Sequence, residues 1–164
     1  MTQARRSPPS LVDFQNWDHP RPFTLQTTVA AADMDGLNHT NNTVYVKWCE
    51  QVAWAHSVSL GLDLDCYRAL NRAMVITRAQ YQYLKASHAG QDVVAGTWIS
   101  HWDKKLTMER EFQIIRLDDG ETLLRARMRF ACIDLDSGRP RRMPREFIEG
   151  YGPAVLATAG DPGS

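Results

Sequence analysis

The sequence predicts an α+β domain in which one antiparallel sheet faces one buried helix. Two observations carry this reading. Four strand-like segments follow one another with only short turns between them. Ahead of them lies an 18-residue stretch, Thr43 to Leu60, that is apolar almost all round. Strand, buried helix and meander of long strands are all satisfied by a sheet packed on a single central helix.

Each element has its own signal. Phe23, Leu25, Thr27 and Val29 alternate with Thr24, Gln26 and Thr28, the period of a half-buried strand. In 75–83, Val75, Thr77, Ala79, Tyr81 and Tyr83 alternate with Ile76, Arg78, Gln80 and Gln82. Segment 92–102 is rich in Val and Trp. Segment 107–117 sets Met108, Phe112 and Ile114 on one face against Glu109, Glu111 and Gln113. In 122–133, Leu124, Ala126, Met128, Phe130 and Cys132 alternate with Arg125, Arg127 and Arg129, which read as a solvated face. Asp118-Asp119-Gly120 marks a hairpin and Asp103-Lys104-Lys105 a turn.

The helix carries Val44, Tyr45, Val46, Trp48, Cys49, Val52, Ala53, Trp54, Ala55 and Val58 against few charges, chiefly Lys47 and Glu50. Such a helix belongs inside something. Asn41 or Asn42 can cap its start, and Gly61 suits its end. The sheet covers one side; a second copy of the chain is the economical cover for the other, so a homodimer is expected, with a homotetramer as the larger alternative.

Length favours one domain. Residues 1–22, with four prolines, read as an irregular lead-in whose Leu11, Phe14 and Trp17 lie on the domain surface. Residues 23–151 form the domain and 152–164 a flexible tail. Nineteen basic and nineteen acidic side chains leave no net charge, which argues against a nucleic-acid partner bound through bulk charge. No apolar run reaches about 18 residues, so no membrane span is expected, and the polar N-terminus lacks the apolar stretch of a signal peptide. Cys49, Cys66 and Cys132 are too few and too widely spaced for a disulfide framework or a zinc site. They read as reduced thiols of a cytoplasmic protein.

Neither a Gly-x-Ser-x-Gly elbow nor a glycine-rich phosphate loop is present, and the five histidines have no metal-ligand spacing. No cofactor or metal is expected. What stands out is Asp33-Met-Asp35-Gly-Leu-Asn-His39-Thr-Asn41-Asn42, directly before the buried helix. A carboxylate, an imidazole and several amides beside a helix N-terminus offer a base or nucleophile and donors for an oxyanion. The same residue types are also ordinary turn and cap formers, and on spacing alone the two readings are evenly matched.

The segment from Ala32 to Glu50 resembles the signature of hot-dog thioesterases of the 4-hydroxybenzoyl-CoA thioesterase type. There a strand ends in Asp-x-Asp, a turn follows, and Asn-Asn-x-x-Tyr opens the central helix. Tyr83-Leu-Lys-Ala86 and the stretch from Asp134 to Pro144 resemble later elements of the same family. The resemblance implies the hot-dog fold, an antiparallel β-sheet wrapped around a long central helix. It implies an acyl-CoA thioesterase that hydrolyses a fatty or aromatic acyl-CoA to free acid and CoA.

Carried over residue by residue, it makes Asp35 the nucleophile or general base, with Asp33 structural. His39 and Asn42 shape the turn and contact the thioester. Tyr45 and Trp48 line the acyl pocket or dimer seam, though core packing competes for both. Glu50 matches a carboxylate used on the central helix in a related branch. Lys104, Lys105 and Arg142 are the candidate contacts for the CoA phosphates. Leu37 stands where plant acyl-carrier-protein thioesterases have Asn, which favours the bacterial acyl-CoA branch. A hydratase or dehydratase of the same fold, and a non-catalytic acyl-CoA binding module, are the alternatives.

Overall fold

The computed structural model describes residues 16–157. Leu11, Phe14 and the last residues of the tail lie outside them. Five strands form one antiparallel sheet in the order β1-β3-β4-β5-β2. They are β1 (Phe23–Thr28), β2 (Arg72–Tyr83), β3 (Asp92–Trp102), β4 (Thr107–Arg116) and β5 (Thr122–Asp134). All five strands foreseen from periodicity are present, with ends shifted by no more than three residues.

The central helix α1 (Asn42–Ser59) crosses the inner face of the sheet. Tyr45, Trp48, Cys49, Val52, His56 and Ser57 are its buried residues, one stripe of a helix. They meet Ile99 of β3, Met108, Phe112 and Ile114 of β4, and the inward row Leu124, Ala126, Met128, Phe130 and Cys132 of β5 in one core. Asn41, not Asn42, is the N-cap: its Oδ1 accepts from the Thr43 N–H at 2.9 Å. Beyond the C-cap, Gly61 sits at φ +80°. The rest of α1 is less covered than its composition suggests, because Trp54 and Val58 remain 39% and 56% exposed.

Two short helices were not foreseen. Helix α2 (Leu64–Leu70) starts at Asp63, whose carboxylate accepts from the Cys66 N–H, and ends at Asn71 in the left-handed region. Helix α3 (Arg145–Tyr151) starts after Pro144 and buries Phe147 and Tyr151 completely. Residues 152–156 stay in contact with the domain. Gly152–Ala154 form a 3-10 turn, and Leu156 N–H donates to the Ile99 carbonyl at 2.8 Å.

The lead-in from Asn16 to Pro22 is a strap across the outer face of the sheet. Gln113, fully buried on β4, pins it from both ends of its amide. Oε1 accepts from Asp18 N–H at 2.9 Å, and Nε2 donates to the Asn16 carbonyl at 2.8 Å. Trp98 Nε1 donates to the Pro20 carbonyl, and Arg125 forms a two-pronged pair with Asp18. Trp17 packs edge-on to Trp98 and over Gly96, where a Cβ would come within 2.5 Å of the indole. The strap is why β3 is buried on both faces from Val93 to Ser100.

The arginine row of β5 is exposed as foreseen, but it is not merely solvated. Glu111 and Glu109 of β4 face Arg127 and Arg129, and Asp18 faces Arg125.

Candidate active site

The polar segment before α1 folds into a miniature hairpin. Met34 bridges Thr40, and Asp35 N–H donates to the His39 carbonyl at 2.7 Å. Gly36, Leu37 and Asn38 make the turn, with Asn38 at φ +60°, a conformation Asn tolerates better than most residues. Asp35 Oδ1 closes the loop from inside, accepting from the N–H groups of Leu37 at 2.9 Å and His39 at 3.2 Å. Asp35 therefore fills the turn-forming role that the sequence left open for it. Its Oδ2 has no protein hydrogen bond among the described residues. Asp33 holds the preceding 3-10 turn, accepting from Ala30 N–H at Oδ2.

Asp35, His39, Asn42 and Tyr45 line one open cavity of about 320 Å³. The last residue of β2, Tyr83, and the three that follow it, Leu84 to Ala86, form its other wall. Lys85 is thus a cation at the Asp35 cavity that sequence reasoning did not single out as a site residue; it pairs with Glu121 at 2.9 Å. The signal was the Tyr83-Leu-Lys-Ala86 element itself. His39 is exposed and sits edge-on to His88, whose Nδ1 lies 3.0 Å from the Asn38 carbonyl.

The helix N-terminus is only partly open. The Thr43 and Val44 N–H groups go to Asn41, one to its side chain and one to its carbonyl. The Asn42 N–H has no acceptor among the described residues, so it is the free donor at the positive end of α1. Tyr45 is buried, and its hydroxyl joins Ser87 Oγ at 2.8 Å, which joins Thr40 Oγ1 at 2.7 Å. Trp48 packs edge-on to Tyr45 and lines neither this cavity nor the second one below.

Glu50 is not at the Asp35 cavity. It lies eight residues into α1, about 12 Å along the axis from Asn42. There it lines a second cavity of about 290 Å³ between α1, β2, β4 and β5, together with Arg110, Ser57, Tyr67 and Tyr151. Lys104 and Lys105 sit on the β3–β4 turn, and Arg142 beside Arg72 at the start of β2. Asp35 lies at the other end of the strands, near the Tyr83 end of β2. One chain does not bring these cations to Asp35. The turn itself is well built. Burial works against the Asp103 charge, but N–H donation from Lys105, Leu106 and Thr107 brings its pKa down to about 2.

Cys49 and Cys132 are buried thiols. Burial, with Glu50 adding to it, pushes the Cys49 thiol up to about 12, and burial pushes Cys132 to about 11. Among the described residues no cluster of His, Cys, Asp or Glu could hold a metal ion, and no helix is long and apolar enough to cross a membrane.

A five-stranded antiparallel sheet around one long helix, with a carboxylate turn set at the helix N-terminus, defines the hot-dog class of α+β proteins. The chain belongs to the Thioesterase-like superfamily, whose model matches residues 29–151. Protein THEM6 of Danio rerio is 33% identical over 73 residues, covering 44% of this chain and 36% of that protein. The match therefore spans about a third of that relative's length.

Two solved structures share the fold. Slr0204, a 1,4-dihydroxy-2-naphthoyl-CoA thioesterase from Synechocystis, is 18% identical with a TM-score of 0.72. It covers 80% of this chain and 96% of its own. SAV2348 from Staphylococcus aureus, solved in complex with CoA, is 19% identical with a TM-score of 0.74, covering 86% and 90%.

Proposed function

We propose that the protein is a cytoplasmic acyl-CoA thioesterase that hydrolyses its substrate at the Asp35 cavity. The observation that carries this is the state of the Asp35 carboxylate. One oxygen is fixed by two backbone N–H groups, and the other is left for chemistry in an open cavity at the start of α1. Family membership supports the reaction class.

The thioester carbonyl lies against the Asn42 N–H and the helix dipole, which stabilise the developing oxyanion. Asp35 attacks the carbonyl itself, or takes a proton from a water that attacks it. The C–S bond then breaks. On the water route Asp35 passes its proton to the CoA sulfur and the free acid forms directly. On the nucleophile route the acyl group is left as an anhydride on Asp35, which water cleaves to give the free acid, the proton for the CoA thiol and the restored carboxylate. His39 borders the turn and shapes access to the thioester. Tyr45 holds the cavity floor through Ser87.

The working unit is a homodimer. One edge of β2 pairs with β5; the other has no strand partner among the described residues and is exposed from Ile76 to Gln80. Such an edge favours pairing with a second copy. Two-fold pairing sets the Tyr83 end of one β2 beside the Val75 end of the other. The Lys104, Lys105 and Arg142 end of one copy then approaches the Asp35 cavity of its partner, where the CoA phosphates need cations.

Release of thiol from acyl-CoAs by the purified protein tests the reaction, and light scattering tests the assembly. A mass of two chains, or of four for paired dimers, is expected. A monomer, or binding of acyl-CoA with no thiol released, would refute the respective half.

A further inference from the structure

The second cavity contains a charge with no counter-charge. Arg110 is 1% exposed and points inward from β4, in the row of Met108 and Phe112. Its Nη1 lies 2.9 Å from His56 Nδ1 and its Nη2 donates to Ser57 Oγ at 3.2 Å. The Tyr151 ring faces it at 5.9 Å. None of these groups is an anion. Burial, with Arg110 adding to it, lowers the His56 pKa to about 4, so the imidazole is neutral and Nδ1 is the acceptor. Among the described residues no carboxylate lies within 4.0 Å of the guanidinium. Glu50 is the single carboxylate lining the cavity; it is exposed and forms no ion pair with Arg110.

A buried guanidinium keeps its proton and its desolvation cost is large, so an uncompensated one is rare without a reason. It lies on the wall of the second cavity, with His56, Ser57 and the Tyr151 ring packed against it. Apart from Glu50 and the polar groups at one end, the cavity walls are apolar, with Met74, Met108, Met128 and Phe130 facing it. Those polar groups are Arg110, Ser57 and the hydroxyls of Tyr67 and Tyr151, of which Tyr151 bonds to both Tyr67 and Ser57. Glu50 and Ser57 lie two turns apart on α1, so the polar end is about 10 Å farther from the helix N-terminus than Glu50.

We propose that this cavity receives the acyl group of the substrate and that Arg110 selects acyl groups ending in a carboxylate, the mono-CoA thioesters of dicarboxylic acids. The assignment rests on the thioesterase reading of the Asp35 site. The apolar walls take the methylene chain, and the guanidinium, Ser57 and the tyrosine hydroxyls take the distal anion. Pairing through β2 sets the Asp35 cavity of one copy beside this cavity of the other.

The test compares matched pairs, adipoyl-CoA with hexanoyl-CoA and suberoyl-CoA with octanoyl-CoA. The expected result is a kcat/KM higher for the dicarboxylic member by roughly ten- to hundredfold, the range a hydrogen bond to a charged group supplies. Arg110→Met should abolish that ratio, and Arg110→Lys should keep part of it. If Arg110→Met does not fold, the wild-type ratio decides by itself. Equal turnover within each pair, or preference for the monocarboxylic member, overturns the assignment and leaves the thioesterase reading standing.

If no thioester is hydrolysed, calorimetry with the methyl monoester of adipic acid separates the two claims. Binding that Arg110→Met abolishes supports the anion site without the reaction, and no binding overturns it. Binding of hexanoate lost in Arg110→Met, together with equal turnover of both thioesters, would place a product carboxylate on Arg110 and also overturn the assignment.

Discussion

His56 Nδ1 accepts from the buried guanidinium of Arg110 at 2.9 Å while the Phe23 ring stacks on the other side of the imidazole at 4.8 Å. The two contacts hold a histidine neutral inside the core. Burial and the neighbouring charge lower its pKa to about 4, from 6.5 when exposed.

A pH dependence of stability follows. Between about 6.5 and 4 the unfolded chain binds a proton at His56 that the folded chain does not, so stability rises with pH there. The stabilisation is complete above 6.5 and is lost as pH falls toward 4. At 1.36 kcal/mol per unit, the full effect is about 3 kcal/mol. Thermal melts across this window should show the loss. His56→Asn, whose Oδ1 can still accept from Arg110, should flatten it; an unchanged slope would mean that other groups carry the titration.

Asp35→Asn separates turn from chemistry. The amide oxygen can still accept from Leu37 and His39, so the hairpin and the melting temperature should be kept. Loss of the carboxylate should lower kcat by roughly 10²–10⁴-fold. Asp35→Ala should lower both activity and stability. Parental turnover in Asp35→Asn would reduce Asp35 to a turn residue.

Tyr45→Phe removes one hydroxyl from the chain Tyr45–Ser87–Thr40 and leaves Ser87 with Thr40. A cost of about 0.5–1.5 kcal/mol is expected in denaturant melts, with little change in KM. A large rise in KM would show that the hydroxyl contacts substrate.

Gly96→Ala places a methyl against the Trp17 indole. The strap must lift, at about 1–3 kcal/mol for overpacking. Tryptophan fluorescence should shift to the red as Trp17 meets water. A variant as stable as the parent, with unshifted emission, would mean that the strap adjusts freely.

Most of the sheet is legible in the sequence because β2, β4 and β5 alternate in period two, while β3, buried on both faces, shows instead as a run rich in Val and Trp. Helices α2 and α3 escape for the opposite reason. Each has seven residues, too few for a helical period to stand out, and only Asp63 as a cap and the Phe147–Tyr151 spacing mark them. Arg110 was visible and passed over. Met108, Phe112 and Ile114 share a face, and the residue between the first two on that face is an arginine. A charge on an inward row is the kind of rule-breaking that marks a site. The basic turn at Lys104 was legible as chemistry but not as location, since which end of the sheet it occupies depends on strand order. The turn role of Asp35 and the catalytic role proposed for it do not compete, because the two oxygens of one carboxylate divide them.

The strap of residues 16–22 gives the chain a late event in folding. Its anchors join Asn16 and Asp18 to Gln113 and Arg125, side chains about a hundred positions away on strands made after it. Loop closure over that distance is slow and gains nothing until β4 and β5 have paired. The segment synthesised early is therefore among the last to settle. In the interval the outer surface of β3, with Trp98 and the bare backbone of Gly96, faces solvent. Aggregation during refolding should track that interval, and removing residues 16–19 should leave that surface open.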